Sequence, residues 1–153
     1  MHENIRNESI PWLIFKLNES LYTVNSRLIS SIVIKPDDIT LVPKVPDYME
    51  GLIHLRGNVV PLINLKLLLK IEAEANLDQG KETQEMVVVL EKENTMIGLL
   101  VDEVISVENI AAYEETEEIK KIYKDGFVTG LAKSHRNKDV LLILDEEKIM
   151  TNA

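Results

Sequence analysis

No cysteine occurs anywhere in the chain. Disulfides, thiolate nucleophiles and cysteine-ligated metals are thereby excluded, and the composition fits a reducing compartment. Aromatic residues make up only 5% of the sequence against 45% hydrophobic overall, so the interior has to be built from Ile, Leu and Val, which favours strands. Positive charge is scarce: 17 Lys and Arg stand against 26 Asp and Glu, for a net charge of -9. Such a chain repels phosphate, and no basic run offsets this locally. Nucleic acid and anionic membrane surfaces are therefore not expected as partners. Long apolar runs are missing too. Val87–Leu90 and Met96–Val101 are far short of a bilayer span, and the opening MHENIRNESIPW has no apolar signal core. The expectation is a cytoplasmic protein without direct membrane insertion.

The motifs of common chemistry are also absent. There is no GxSxG elbow, GxxxxGK[ST] cradle, GxGxxG turn or HExxH pair, and His2, His54 and His135 are widely separated. No catalytic residue, cofactor or metal site is expected. Asp102 closes an apolar strand, which reads as a carboxylate accepting backbone hydrogen bonds at a turn.

What is present is a rhythm of short strands. Met1–Ser9 is polar and reads as a flexible terminus. Pro11–Leu17 and Leu21–Val24 flank an Asn-Glu-Ser turn. Asn25–Ser31 is compatible with a helical turn before Ile32–Lys35 extends again. Pro43 and Pro46 point to an ordered loop. The acidic, glycine-containing segment Glu72–Glu85 marks the expected division between two halves within a single domain spanning 11–150. Met86–Glu91 and Met96–Val101 form a second hairpin. Asp102–Ile110 reads as strand or short helix, and Glu114–Lys124 as a helix on the spacing of Ile119, Ile122 and Tyr123. Phe127–Ala132, with Gly130, and Val140–Leu144 are further strands, and Asp145 caps a last helix. Frequent turns and no βαβ alternation predict an all-β chain of two small barrels, one on each side of the Glu72–Glu85 segment, with short helical turns. Gly51-Leu52-Ile53 and Gly98-Leu99-Leu100 place Gly-Leu-apolar in both halves, a weak echo of that division.

The stretch Gly51–Leu65, GLIHLRGNVVPLINL, stands out. It is apolar almost throughout and carries one formal charge, Arg56. Gly57-Asn58 suits a tight turn, because both tolerate φ > 0. Pro61 donates no ladder hydrogen bond, which predicts an edge strand or a bulge there. His54 alternates with Ile53 and Leu55 and so faces the other side of its strand. Arginine at a hairpin tip can lay its stem on apolar surface and offer its guanidinium to a carboxylate. Alternatively, it keeps the turn soluble or pairs with a nearby acid. Val59 and Val60 fit either a contact surface or the interior.

GLIHLRGNVVPLINL resembles the LRG signature of the CheW family, the bacterial chemotaxis coupling proteins. The likeness runs along nearly the whole chain. LIFKLNESLYTV is similar to the family's first hairpin, ITLVPKVPDYMEG to its proline-bearing loop and IGLLVDEVISVENI to its glycine-to-aspartate stretch. FVTGLAKSHRNKDVLLILDEEKIM resembles its closing strand, turn, strand and helix. The resemblance implies two SH3-like five-stranded β-barrels packed together, without catalysis. It implies an adaptor coupling transmembrane chemoreceptors to the histidine kinase CheA. One barrel would meet the kinase's regulatory domain, and the groove between barrels would receive the cytoplasmic receptor tip. The protein would be a monomer outside receptor arrays and recruited to them at the membrane.

On this footing Arg56 occupies the family's coupling arginine. Val59, Val60, His54 and Ser31 join it as candidate partner contacts, and Gly51, Gly57, Asn58, Pro61, Gly98, Asp102 and Gly130 are structural. His54 stands where the family often has asparagine, Asn64 where it has aspartate, and Ser31 where many members carry an acid. The Ser31 departure keeps open a divergent paralogue serving another receptor–kinase array. A separate alternative is a small-molecule-binding sensory β-barrel, or an enzyme with scattered carboxylates, with a pocket ringed by Asp102, His54 or His135.

Overall fold

In the computed structural model the described residues are 4–6, 10–71, 84–110, 113–115, 117–135 and 138–152. They form two sheets, each belonging to its own compact unit. Unit 1 comprises Met1–Arg27 and Val104–Asn152, and unit 2 comprises Leu28–Glu103.

The sheet of unit 1 has seven strands. They are β1 (Asn4–Arg6), β2 (Ile10–Leu17), β3 (Ser20–Asn25), β9 (Glu103–Ile110), β10 (Tyr113–Glu115), β11 (Val128–Lys133) and β12 (Val140–Leu144). Their order is β1-β10-β11-β12-β3-β2-β9. The five longer strands make the expected small SH3-like barrel subdomain, and β1 and β10 extend its sheet. β12 runs parallel to β3, pairing Leu141 with Leu21 and Ile143 with Thr23. Trp12, Ile14, Ile110, Ala132, Leu141 and Ile143 form one core cluster. Phe15 stacks on Tyr22 at 6.2 Å. Burial, with Tyr123 nearby, pushes the Tyr22 hydroxyl up to about 12. Every buried aromatic side chain described (Trp12, Phe15 and Tyr22) lies in this unit.

The sheet of unit 2 has five strands. They are β4 (Ile29–Ile34), β5 (Met49–Leu55), β6 (Asn58–Asn64), β7 (Met86–Lys92) and β8 (Thr95–Val101), in the order β4-β7-β8-β6-β5. Its core cluster is aliphatic: Ile53, Val60, Leu62, Val87, Val89 and Leu100, with Val33, Ile39, Leu55 and Met96 packed around it. Short helices are α1 (Leu65–Leu68), α2 (Glu117–Ile122) and α3 (Glu146–Asn152). A 3-10 turn at Ser26–Leu28 takes the ambiguous segment before β4. None of the described helices is long and apolar enough to cross a membrane.

Several expectations change. The compact units meet at Arg27/Leu28 and Glu103/Val104 rather than in the acidic segment, whose residues 72–83 lie outside the described ones. The reason is the long-range pairing of β3 with β12 and of β2 with β9, which draws the chain's two ends into one sheet. The N-terminal segment is not wholly loose, because Asn4–Arg6 pairs antiparallel with Tyr113–Glu115. Backbone pairing at a sheet edge asks for no apolar pattern. The Gly51 and Gly98 echo does not link two halves. Both glycines lie in unit 2, and both pair with Leu62, one from β5 and the other from β8. Segment 114–124 divides into β10 and a single helical turn and a half, α2. Of its apolar residues Ile119 is buried while Ile122 is 70% exposed.

Candidate functional site

The β5–β6 hairpin carries most of the candidate residues. Leu55 pairs with Asn58, leaving a two-residue loop of Arg56 and Gly57. Both sit in the left-handed region, at φ 51° and 81°, the pattern of a turn whose twist matches the strands. The expected turn dipeptide is therefore displaced by one residue, and Asn58 opens β6 instead. A Cβ on Gly57 would meet nothing within 4 Å, so glycine is needed there only for its backbone. Arginine has no such excuse. A left-handed L-residue costs about 1 kcal/mol or more, yet Arg56 holds that conformation at the exposed tip.

Strand alternation sorts the neighbours. Ile53 and Val60 pair across the hairpin and are fully buried, whereas His54 pairs with Val59 and both are exposed, Val59 at 55%. Val60 is thus a core residue and not a contact. His54, Arg56 and Val59 form the exposed patch. Among the described residues Arg56 enters no ion pair, whereas Lys35 pairs with Glu85 and Lys66 with Asp102. The reading in which Arg56 pairs with a neighbouring acid has no support there.

Ser31 is not brought to this patch by strand order. It lies half-buried on β4, opposite Val89, at the other end of the sheet from β5. Asp102 sits in the bend between β8 and β9, and its carboxylate meets Lys66 Nζ at 2.9 Å. Nothing in the local pattern pairs residues so far apart. Gly130 is buried on β11 beside a register shift, paired with Ile143.

Pro61 lies on a central strand, β6, and not on an edge; the register shift of this hairpin falls between Met49 and Gly51. Its partner Leu52 turns both backbone groups away, donating to Thr40 O at 2.8 Å and accepting from Thr40 N–H at 2.9 Å. The Leu52–Pro61 pair is therefore a non-hydrogen-bonded one, where proline forfeits nothing towards β5. On its other side the parallel ladder with β8 starts only at Leu62.

Asn64 ends β6 and caps α1. Its Oδ1 accepts from Leu67 N–H at 3.2 Å, and its Nδ2 donates to Glu50 Oε2 at 3.4 Å. A carboxylate at 64 would face Glu50 unfavourably, so the departure from aspartate answers a local neighbour.

In unit 1 a cleft of about 670 Å³ lies among β2, β3, β9 and β12, with Lys16, Glu19, Glu108 and Asp139 in its walls. Buried Glu108 accepts from Ser134 Oγ at 2.7 Å and from His135 N–H at 2.8 Å, which fixes the turn after β11. Asp102, His54 and His135 do not line this cleft, contrary to what the sensory-barrel alternative requires. Among the described residues no cluster of three or more His, Asp or Glu is arranged for a metal.

Comparison with known proteins agrees with the fold. The CheW-like domain family model matches residues 11–153. The chain is 26% identical over 150 residues to the chemotaxis protein CheW of Treponema pallidum, covering 97% of this chain and 86% of that protein. It is 37% identical over 75 residues to the CheW of Thermotoga maritima, covering 49% and 46% of the two chains. The crystal structure of the scaffolding protein TtCheW from Thermoanaerobacter tengcongensis superposes with a TM-score of 0.75 at 28% identity, covering 90% of this chain and 89% of that one.

Proposed function

This chain belongs to the CheW family, and on that premise we propose that it is a chemotaxis scaffold, not an enzyme, that couples chemoreceptors to a CheA-type histidine kinase. Its partners are the kinase's regulatory domain and the receptors' cytoplasmic tip. It is monomeric by itself and joins membrane-associated arrays through them. The observation that carries the reading is the hairpin tip. Arg56 is the one formal charge between Gly51 and Leu65, held in a left-handed turn, exposed beside His54 and Val59, with no ion pair among the described residues. A charge kept at a conformational cost and without an internal partner is available to another molecule.

Calorimetric titration with the regulatory domain of a CheA-type kinase tests this. The wild type is expected to bind, and Arg56→Glu to bind more weakly by about 1 kcal/mol or more, with an unchanged circular dichroism spectrum. Equal binding by both proteins removes Arg56 from the kinase contact and leaves the receptor tip as its partner. No binding by the wild type overturns the kinase-coupling reading.

A second reading, service to a divergent receptor–kinase array, is favoured by Ser31, an uncharged half-buried residue on β4. On that reading Ser31→Glu tightens binding to the tips of receptors from a main chemotaxis array; unchanged binding counts against it.

A further inference from the structure

β5 is the terminal strand of its sheet. One of its edges is bonded to β6, and the other points alternate N–H and C=O groups outward. The loop before β5 comes back to that open edge. Thr40 forms an isolated antiparallel bridge with Leu52, and both hydrogen bonds are made, at 2.8 and 2.9 Å. Ile39, one residue earlier, packs against the cluster containing Ile53 and Val60. Leu41, one residue later, is 80% exposed, so apolar burial does not hold this end of the bridge. The loop's far end is tied as well: Met49 N–H donates to Pro46 O at 3.0 Å and Asn64 N–H to Tyr48 O at 2.7 Å.

The approach depends on Gly51. A Cβ there would lie 2.5 Å from Thr40 O and 2.7 Å from Ile39 Cγ2. The first of these atoms is backbone and has no side-chain freedom by which to move aside. Gly51 also sits at φ 148°, which other residues rarely adopt. Only Ile53, His54 and Leu55 separate Leu52 from Arg56.

We propose that Ile39–Leu41 clamps the outer edge of β5, and that Gly51 is the positioning residue that lets the clamp close and so holds the Arg56 tip on a strand gripped from both sides. The proposal rests on the reading of Arg56 as a partner contact. Without the clamp, the strand leading to the tip is bonded on one side only, and the guanidinium samples more directions before it meets its partner.

Two variants test this. Gly51→Ala blocks the approach sterically, and Thr40→Pro removes the N–H that Leu52 O accepts. Amide hydrogen exchange reads the clamp: Leu52 is expected to exchange roughly tenfold faster or more in both variants, with Val88 and Leu99 unchanged. Titration with the kinase regulatory domain reads its purpose: affinity is expected to fall roughly fivefold or more. The double variant Gly51→Ala/Arg56→Glu should bind no worse than Arg56→Glu alone, because one residue acts through the other. The proposal is overturned by a Leu52 amide that stays protected, by full affinity despite an open edge, by additive losses in the double variant, or by global loss of protection in both clamp variants. Should the wild type not bind the kinase domain, the adaptor reading falls, and the clamp stands or falls on Leu52 exchange alone.

Discussion

Unit 2 contains two hairpins with the same turn and opposite surroundings. In β5–β6, Arg56 and Gly57 adopt φ 51° and 81°; in β7–β8, Glu93 and Asn94 adopt 49° and 65° between the paired Lys92 and Thr95. Both are two-residue loops with positive φ throughout, the geometry that suits strand twist. In each, one residue tolerates that region well and the other, Arg56 or Glu93, does not. The strands beside them differ. β7 and β8 have neighbours on both sides, and Val87–Leu90 and Ile97–Val101 are buried without interruption. β5 ends the sheet, and its hairpin alternates buried Ile53 and Val60 with exposed His54 and Val59. The turn geometry comes from register; whether a hairpin is interior framework or available surface comes from the position of its strands in the sheet.

The largest test of that contrast is within one strand. Val60→Asp places a charge in the aliphatic core and is expected to cost about 3 kcal/mol or more. Val59→Asp, on the exposed face, should change stability by about 0.5 kcal/mol or less. Urea unfolding measures both, and similar losses would break the division of this hairpin into an interior and an exposed face. Next comes the base of β6. Asn64→Asp faces Glu50 with a second carboxylate and is expected to cost about 1 kcal/mol. Glu50→Gln in the same chain should restore most of it, and a lack of rescue would mean that repulsion from Glu50 is not the source of the loss, since aspartate caps α1 as well as asparagine does. The smallest effect sharpens the comparison of tips. Arg56→Asn and Glu93→Asn each relieve a left-handed residue and should stabilise by about 0.5 kcal/mol. Only Arg56→Asn should weaken titration with the kinase regulatory domain. Equal weakening by Glu93→Asn would erase the functional difference between the two hairpins.

Much of this was legible in the sequence. β7 and β8 stand out as β-branched, apolar runs around a polar turn, and the β2–β3 hairpin as strands around Asn18-Glu19. The alternation His54 against Ile53 follows from strand period alone. Other features had no local signal. Val59 and Val60 are the same residue type, and only the register tells which one is buried. The turn fell one residue early because Leu55 pairs with Asn58, so arginine accepts a conformation that propensity would assign to asparagine. Pro61 entered a central strand because its partner Leu52 turns to Thr40, a contact set by a loop. The division at 72–85 misled for a related reason. A composition shift marks a polar segment, whereas the units are defined by pairings between residues more than a hundred positions apart, such as Tyr22 with Leu142.

That last pairing has a consequence for how the molecule is made. Unit 2 is encoded as one continuous segment, Leu28–Glu103, inserted within unit 1. On the ribosome every strand of unit 2 emerges before β11 and β12 do, so its sheet can assemble while synthesis continues. β2 and β3 emerge first of the longer strands, yet Trp12 must wait for Ala132, Leu141 and Ile143 to complete its cluster and Tyr22 for Leu142 to pair with it. The most aromatic part of the chain is therefore the part left longest without its partners. Chaperone capture of stalled nascent chains should concentrate on that early hairpin and end when β12 is released.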